Sequence, residues 1–250
     1  MMSSEADNID TTVQCCAGCG IKEDDDNIKL KKCTACHLVR YCSIKCQKEH
    51  RPKHKRACKK RAAELRDELL FQQPDSIDIG DCPICCLPLP LDSQRKSSFM
   101  MCCGKMICIG CDYANQDSEF SKKRHPTCPF CRKLSPDSQE EQLEYIQRRI
   151  DANDPVALTQ MGCYHCERGE YDSASDYWTR AVGLGDIDAN YHLACLYHIG
   201  EGVEKDSKKE VYHLEAAAIG GHPKARYNLA CVDIEGGRME RAIKHHMINA

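Results

Sequence analysis

The sequence lacks the long apolar runs that membrane proteins need. None of its apolar stretches approaches the roughly 18 residues of a membrane-spanning helix. The N-terminus, MMSSEADNIDTT, is polar and acidic, whereas a secretory signal needs a basic start and an apolar core. We therefore expect a chain that is neither exported nor bound in a membrane, and that resides in the cytoplasm or the nucleus.

Several catalytic and nucleic-acid-binding patterns are also missing. The sequence has no nucleophile with a matching base, no phosphate loop and no pair of carboxylates placed for acid–base catalysis. Between Lys45 and Arg61, nine Lys or Arg residues face a single acid, Glu49, but no stacking aromatics alternate with them. A solvated helix face explains this charge, and we do not expect a nucleic-acid partner.

What the sequence has in abundance is cysteine, with 21 in 250 residues. Such a number must serve a common purpose, either disulfides or metal binding. In the reducing cytosol or nucleus, closely spaced thiols more often hold metal than each other. Zinc is therefore the expected cofactor.

The first cysteine-rich segment, residues 15–58, carries four ligand pairs at short spacing. Zinc prefers four thiolate or imidazole ligands in a tetrahedron, so eight candidates indicate two ions. About 45 residues cannot bury enough apolar surface to fold alone, and metal would supply the missing free energy. Cys15 is an alternative to Cys16, whereas His37 and His50 are interpreted as non-ligands. The candidate ligands are Cys16, Cys19, Cys33, Cys36, Cys42, Cys46, His54 and Cys58.

The run LKKCTACHLVRYCSIKCQKEHRPKHKRAC, with CAGCG before it, resembles a MYND zinc finger. The resemblance implies that alternate pairs share an ion, and that the finger binds short, often proline-containing peptides of partner proteins. The implied sets are Cys16, Cys19, Cys42 and Cys46 for one ion and Cys33, Cys36, His54 and Cys58 for the other.

The second cysteine-rich segment opens with Cys-Pro-Ile-Cys, closes with Cys-Pro-Phe-Cys and contains CCGKMICIGC between them. In a cross-braced arrangement the first and third pairs share one ion, and the second and fourth share the other. Gly104 would provide the turn after two adjacent ligands. His125 is an alternative ligand, and Cys86 is interpreted as a spare. The sets are Cys82, Cys85, Cys108 and Cys111, and Cys102, Cys103, Cys128 and Cys131.

This second segment resembles a RING finger of the variant with eight cysteines. The resemblance implies that it recruits a ubiquitin-conjugating enzyme and restrains the ubiquitin thioester in a reactive geometry, without a catalytic residue of its own. Three residues match positions that RING fingers use for this contact: Ile84, Pro129 and Arg132.

The last hundred residues contain a repeat. PVALTQMGCYH, IDANYHLACLYH and PKARYNLACVDI align, with Ala157, Ala189 and Ala225 in register and an insertion predicted at residues 200–207. Each unit is interpreted as two antiparallel helices, and the pattern resembles the Sel1-like repeat, a relative of the tetratricopeptide repeat. That resemblance implies a concave face that binds proteins. Cys163, Cys195, Cys231 and Trp178 are interpreted as core residues.

Together these patterns predict a fold class of small zinc-stabilised domains, a MYND finger and a cross-braced RING, followed by an all-α helical-repeat solenoid. Ser138 is expected to cap the connecting helix. The third repeat stops early, so we expect either a fragment of a longer chain or an exposed apolar edge. The predicted domains are 1–14, a disordered N-terminus; 15–58, the MYND finger; 59–80, a helical linker; 81–134, the RING finger; 135–154, a connecting helix; and 155–250, the repeats.

The leading functional hypothesis is a RING-type ubiquitin ligase or ligase adaptor that holds about four zinc ions. Its MYND finger and repeats would select the partners. The alternative is a non-enzymatic zinc-finger scaffold for protein–protein interactions.

Overall fold

The computed structural model describes residues 15–23, 28–73, 80–89 and 97–249. The chain divides into two compact units, one ending at Leu70 and the other beginning at Phe71. The predicted disordered segment 1–14 lies outside the described residues. No helix in the described part of the chain combines the length and apolar character needed to span a lipid bilayer.

The first unit is built around cysteines rather than a hydrophobic core. Strand β1 (Lys31–Lys32) pairs antiparallel with β2 (Arg40–Tyr41), and helix α1 follows as Ile44–Leu70. The buried cluster consists of four cysteines with Leu30 and Tyr41. The helix expected in the 59–80 connector is the continuation of α1, because good helix formers extend the helix that carries the last ligands of the finger.

The second unit begins with a hairpin and a helix. Strand β3 (Ser97–Met100) pairs antiparallel with β4 (Lys105–Cys108), and α2 spans Ile109–Ser121. Gly104 adopts a φ of 73° in the hairpin turn, which confirms the predicted turn after the adjacent cysteines. The small core beneath this hairpin contains Cys82, Leu89 and Ile107.

The remaining helices pack in sequence order as a repeat. Helix α3 (Gln139–Asp151) begins after Ser138, whose Oγ accepts a hydrogen bond from the Glu141 N–H at 3.2 Å, as predicted. The repeat helices are α4 (Pro155–Glu167), α5 (Tyr171–Gly183), α6 (Ile187–Ile199), α7 (Ser207–Ile219), α8 (Pro223–Glu235) and α9 (Met239–Asn249).

The predicted repeat register is confirmed by burial. Ala157, Ala189 and Ala225 are each 0% exposed, so the aligned alanines occupy equivalent core positions. The predicted insertion forms the connection between α6 and α7. Trp178 is buried as expected.

The aligned thiols of Cys163, Cys195 and Cys231 are partly buried, and Cys163 packs against the hydrophobic core of the repeats as expected. Cys195 and Cys231 line a cavity between α6, α7 and α8, so neighbouring side chains do not enclose them completely.

Candidate metal centres

The structure gathers the sixteen predicted ligands into four groups of four, with the pairing expected from the sequence. Within each group all ligand atoms lie within 4.8 Å of one another. The groups are Cys16, Cys19, Cys42 and Cys46; Cys33, Cys36, His54 and Cys58; Cys82, Cys85, Cys108 and Cys111; and Cys102, Cys103, Cys128 and Cys131.

The first group joins the N-terminal knuckle to the start of α1. Cys42 Sγ lies 3.5 Å from Cys19 Sγ and 3.6 Å from Cys46 Sγ. The backbone N–H of Cys42 also donates to Cys16 Sγ at 3.4 Å. Gly18 is needed in this turn, because a Cβ atom there would lie 2.7 Å from Cys46 Cβ.

The second group uses one face of α1. His54 and Cys58 are four residues apart on the helix, and His54 Nε2 lies 3.2 Å from Cys36 Sγ. Cys33 Sγ lies 3.8 Å from Cys58 Sγ. His50 is outside the group, as expected: its Nδ1 lies 3.1 Å from the Tyr41 hydroxyl.

The third and fourth groups form the predicted cross-brace. Cys85 Sγ lies 3.8 Å from Cys108 Sγ, which joins the first pair of the segment to its third pair. In the fourth group, Cys131 Sγ lies 3.3 Å from Cys102 Sγ, and the Sγ atoms of Cys103 and Cys128 are 3.7 Å apart. The two adjacent cysteines therefore both point into one group.

The alternative ligands lie elsewhere. Cys15 and Cys86 are exposed, free and outside every group. His125 is also outside the groups, with its Nδ1 3.8 Å from an Asp137 carboxylate oxygen.

The distances between ligand atoms fit zinc. A tetrahedron with zinc–sulfur bonds of about 2.3 Å has sulfur–sulfur edges of about 3.8 Å. The six sulfur–sulfur distances given above are 3.3 to 3.8 Å, close to that edge, and all ligand atoms of a group lie within 4.8 Å of one another. A disulfide requires about 2.0 Å, and every cysteine is free in the structure. The donor sets are thus those of several zinc ions that bind through Cys and His.

Electrostatics within the groups also favours a cation. Burial raises the pKa of Cys16, but backbone N–H groups of Cys42, Cys19 and Gly18 lower it to about 6 overall. By contrast, hydrogen bonding with Cys19 and then Cys16 raises the pKa of Cys42 to about 12. The Cys16 thiol therefore ionises readily, whereas Cys42 resists becoming a second negative charge. A bound divalent ion would remove this conflict.

The sequence analysis did not consider one further cysteine pair. Cys163 and Cys166 also have Cys-x-x-Cys spacing, which the sequence alone displays, but they lie on α4 in the repeats. Within the described residues they join no group of four. Burial raises the pKa of the Cys163 thiol to about 12, and its Sγ lies 3.6 Å from His192 Nε2. We therefore assign this pair to packing between helices.

Comparison with known proteins gave a family match within the first unit. Residues 16–58 match the MYND finger family. A search of curated proteins gave no significant match.

Among solved structures, the chain is similar to a Sel1 repeat protein from Oxalobacter formigenes, with 21% identity and a TM-score of 0.42, over 45% of this chain and 49% of that one. It is also similar to c5321, a protective antigen of uropathogenic Escherichia coli with an SLR fold, with 19% identity and a TM-score of 0.44, over 47% and 27% of the two chains. The chain thus spans about half or less of the length of these proteins.

Proposed function

We propose that this chain is a protein-interaction protein that acts as a RING-type ubiquitin ligase or ligase adaptor. Residues 81–134 would recruit a ubiquitin-conjugating enzyme, while the MYND finger at 15–58 and the repeats at 155–250 would select partner proteins. The observation that supports the proposal is the cross-brace of four cysteine pairs, because it holds two knuckle turns on either side of one hairpin and one helix.

The residues proposed to contact the conjugating enzyme are positioned by these knuckles. Ile84 lies inside the first knuckle and is 43% exposed, although isoleucine is usually buried. Pro129 lies inside the last knuckle and is partly exposed. Arg132 directly follows the last ligand, is exposed, and has a φ of 62°. An apolar contact at each knuckle and a cation beside one of them would suit a protein partner.

In this role the zinc ions would be structural. Zinc would fix the two turns, and the chain's own side chains would bind and orient the loaded conjugating enzyme. The ubiquitin thioester and the acceptor amine would react directly with each other, so no nucleophile is needed here. The proposed partners of the MYND finger are short peptides, including proline-containing ones, in the cytoplasm or nucleus.

The test is discharge of ubiquitin from a panel of loaded conjugating enzymes onto free lysine. We expect the zinc-loaded protein to accelerate discharge, and Ile84→Ala or Arg132→Ala to slow it about tenfold, since each removes about 1.4 kcal/mol of contact energy. The controls are Ile234→Ala, an exposed isoleucine in the repeats, and Arg124→Ala, an exposed arginine in the same segment. Zinc-loaded protein that discharges none of the enzymes would instead favour the non-enzymatic scaffold.

A further inference from the structure

A cavity of about 290 Å³ lies between α6, α7 and α8. Ala194 and Leu214 contribute to its apolar wall, and its lining includes two carboxylates, Glu210 and Glu235. The cavity belongs to the repeats and contains none of the sixteen candidate zinc ligands.

Glu210 occupies a position where the other two repeats have alanine. In the register that aligns Ala181 with Ala217, Glu210 corresponds to Ala174 of the first repeat. The third repeat has Ala242 at the same position. Both alanines are buried, at 0% and 1% exposure, and Glu210 is itself only 8% exposed. Burying a carboxylate is costly unless it is paired, so Glu210 needs a polar partner that the aligned alanines do not need.

The carboxylate of Glu210 has a partner that also lines the cavity. Glu210 Oε1 lies 2.9 Å from Nδ1 of His198, which also lines the cavity. The His198 side chain is 65% exposed. The nearly buried carboxylate of Glu210 thus lines the cavity beside a histidine whose side chain is largely exposed.

The second repeat also differs from the first at two further positions, both of which line the cavity. Trp178 corresponds to Leu214, and Gly162 corresponds to Ala194. In the first repeat the indole packs directly against Gly162, where a Cβ atom would overlap Trp178 Nε1. In the second repeat the smaller Leu214 leaves this space open. The difference that creates room, Leu214 in place of Trp178, and the one that introduces charge, Glu210, thus occur in the same repeat.

We propose that this cavity binds the side chain of a lysine or arginine in a partner peptide. Ligand pockets usually measure about 300 to 1000 Å³, so this cavity is suited to one side chain rather than a cofactor. An aliphatic stem would lie along the apolar wall, and its cationic end would pair with Glu210 and Glu235. The proposal rests on the protein-interaction role of the repeats and is independent of ligase activity.

The test is binding of the full-length, zinc-loaded protein to a peptide array. The probes are decapeptides with degenerate flanks and one fixed central residue: Lys, Arg, Gln, Leu or Glu. We expect Lys and Arg peptides to be retained about tenfold better than Gln peptides, in line with about 1.4 kcal/mol for a charge-assisted contact. Glu210→Ala should abolish this preference and still fold, because the other repeats carry alanine there. Glu204→Gln, an exposed acid outside the cavity lining, is the control.

A second variant tests the cavity itself. Ala194→Gly with Leu214→Trp copies the first repeat and should fill the space, so that Lys and Arg peptides are no longer preferred. Equal retention of Lys, Arg and Gln peptides by the native protein would overturn the proposal, as would an unchanged preference in Glu210→Ala or a preference for Leu or Glu. Discharge of loaded conjugating enzymes should be unaffected in both variants, so this failure is distinguishable from failure of the ligase proposal.

Discussion

The guanidinium of Arg149 donates a hydrogen bond to the carbonyl oxygen of Met101, with Nη1 3.4 Å from that oxygen. Met101 directly precedes Cys102, the first residue of the fourth candidate zinc group. The same guanidinium pairs with Asp154 at 2.8 Å, and Asp154 caps α4 by accepting from the Val156 N–H. One arginine on α3 therefore links the cross-braced segment to the first repeat helix.

Replacing Arg149 should destabilise the second unit. The Arg149 side chain is only 11% exposed, so Arg149→Met would remove a shielded charge pair and leave Asp154 without this partner. We expect a loss of about 2 to 3 kcal/mol in the free energy of unfolding, measured by urea denaturation of zinc-loaded protein. Arg148→Met is the matched control, because its pair with Glu144 is exposed and should contribute less than about 1 kcal/mol. Equal losses in both variants would contradict this role for Arg149.

The zinc groups and the repeats could be predicted from the sequence because both require residues at fixed spacing along the chain. Zinc needs four ligands around one point, so Cys-x-x-Cys pairs restrict the geometry strongly, and the four groups agree with the expected pairing. The repeat also has a fixed spacing, and the buried alanines at 157, 189 and 225 follow it.

Other features were not predictable because they depend on packing in three dimensions. The sequence did not show that α1 would run unbroken from Ile44, since no cap or turn marks where the finger ends. The role of Glu210 required both the repeat register and the cavity around it. Its departure from the aligned alanines Ala174 and Ala242 was nevertheless visible in the sequence and was the available signal.

The zinc content should follow the four groups. We expect about four zinc ions per chain in the native protein, and about three in Cys111→Ala, because each group needs four ligands. Cys86→Ala should keep all four, since Cys86 lies outside every group. Elemental analysis of reduced, purified protein measures this directly. Loss of an ion from Cys86→Ala, or metal-free protein that is still folded, would show that the ligand assignment is wrong.

Chelation should separate the zinc-dependent segments from the repeats. The repeats contain their own hydrophobic core around Trp178 and Leu193, without any of the sixteen candidate ligands. Removing zinc should therefore unfold residues 15–131 and leave most of the repeat helicity intact. Circular dichroism reports the helicity, and fluorescence of Trp178, the single tryptophan, reports the repeat core. Complete loss of the Trp178 signal on chelation would mean that the repeats also depend on metal.

Gly162 and Trp178 should be energetically coupled. A Cβ atom at position 162 would overlap the indole, so Gly162→Ala should cost about 1 to 3 kcal/mol through overpacking. The natural counterparts in the next repeat are Ala194 and Leu214, so the double variant Gly162→Ala with Trp178→Leu should lose less stability than the sum of the single variants. Urea unfolding of the three variants gives the coupling energy. Strict additivity would contradict direct contact as the cause.

Acid should destabilise the repeat core through His192. This imidazole stacks on Trp178 with a 4.7 Å centroid distance, and its burial lowers its pKa from 6.5 to about 4. His192 therefore becomes protonated near pH 6.5 in the unfolded chain, but only near pH 4 in the folded chain. Above pH 6.5 this residue costs no stability. Below pH 6.5 the free energy of unfolding falls as the pH decreases toward 4. The loss from this residue should reach about 2 kcal/mol at pH 5.

His192→Asn isolates the contribution of the imidazole, because the third repeat has Asn228 at the aligned position. The variant should be less stable than native protein at pH 7, since the stacking on Trp178 is lost. Its stability should nevertheless decline less between pH 7 and pH 5, when urea unfolding is followed by Trp178 fluorescence. Acid release of zinc and burial of His245, whose pKa is also lowered to about 4, affect both proteins equally. Parallel declines in the two proteins would therefore mean that His192 is protonated in the folded state as readily as in the unfolded chain.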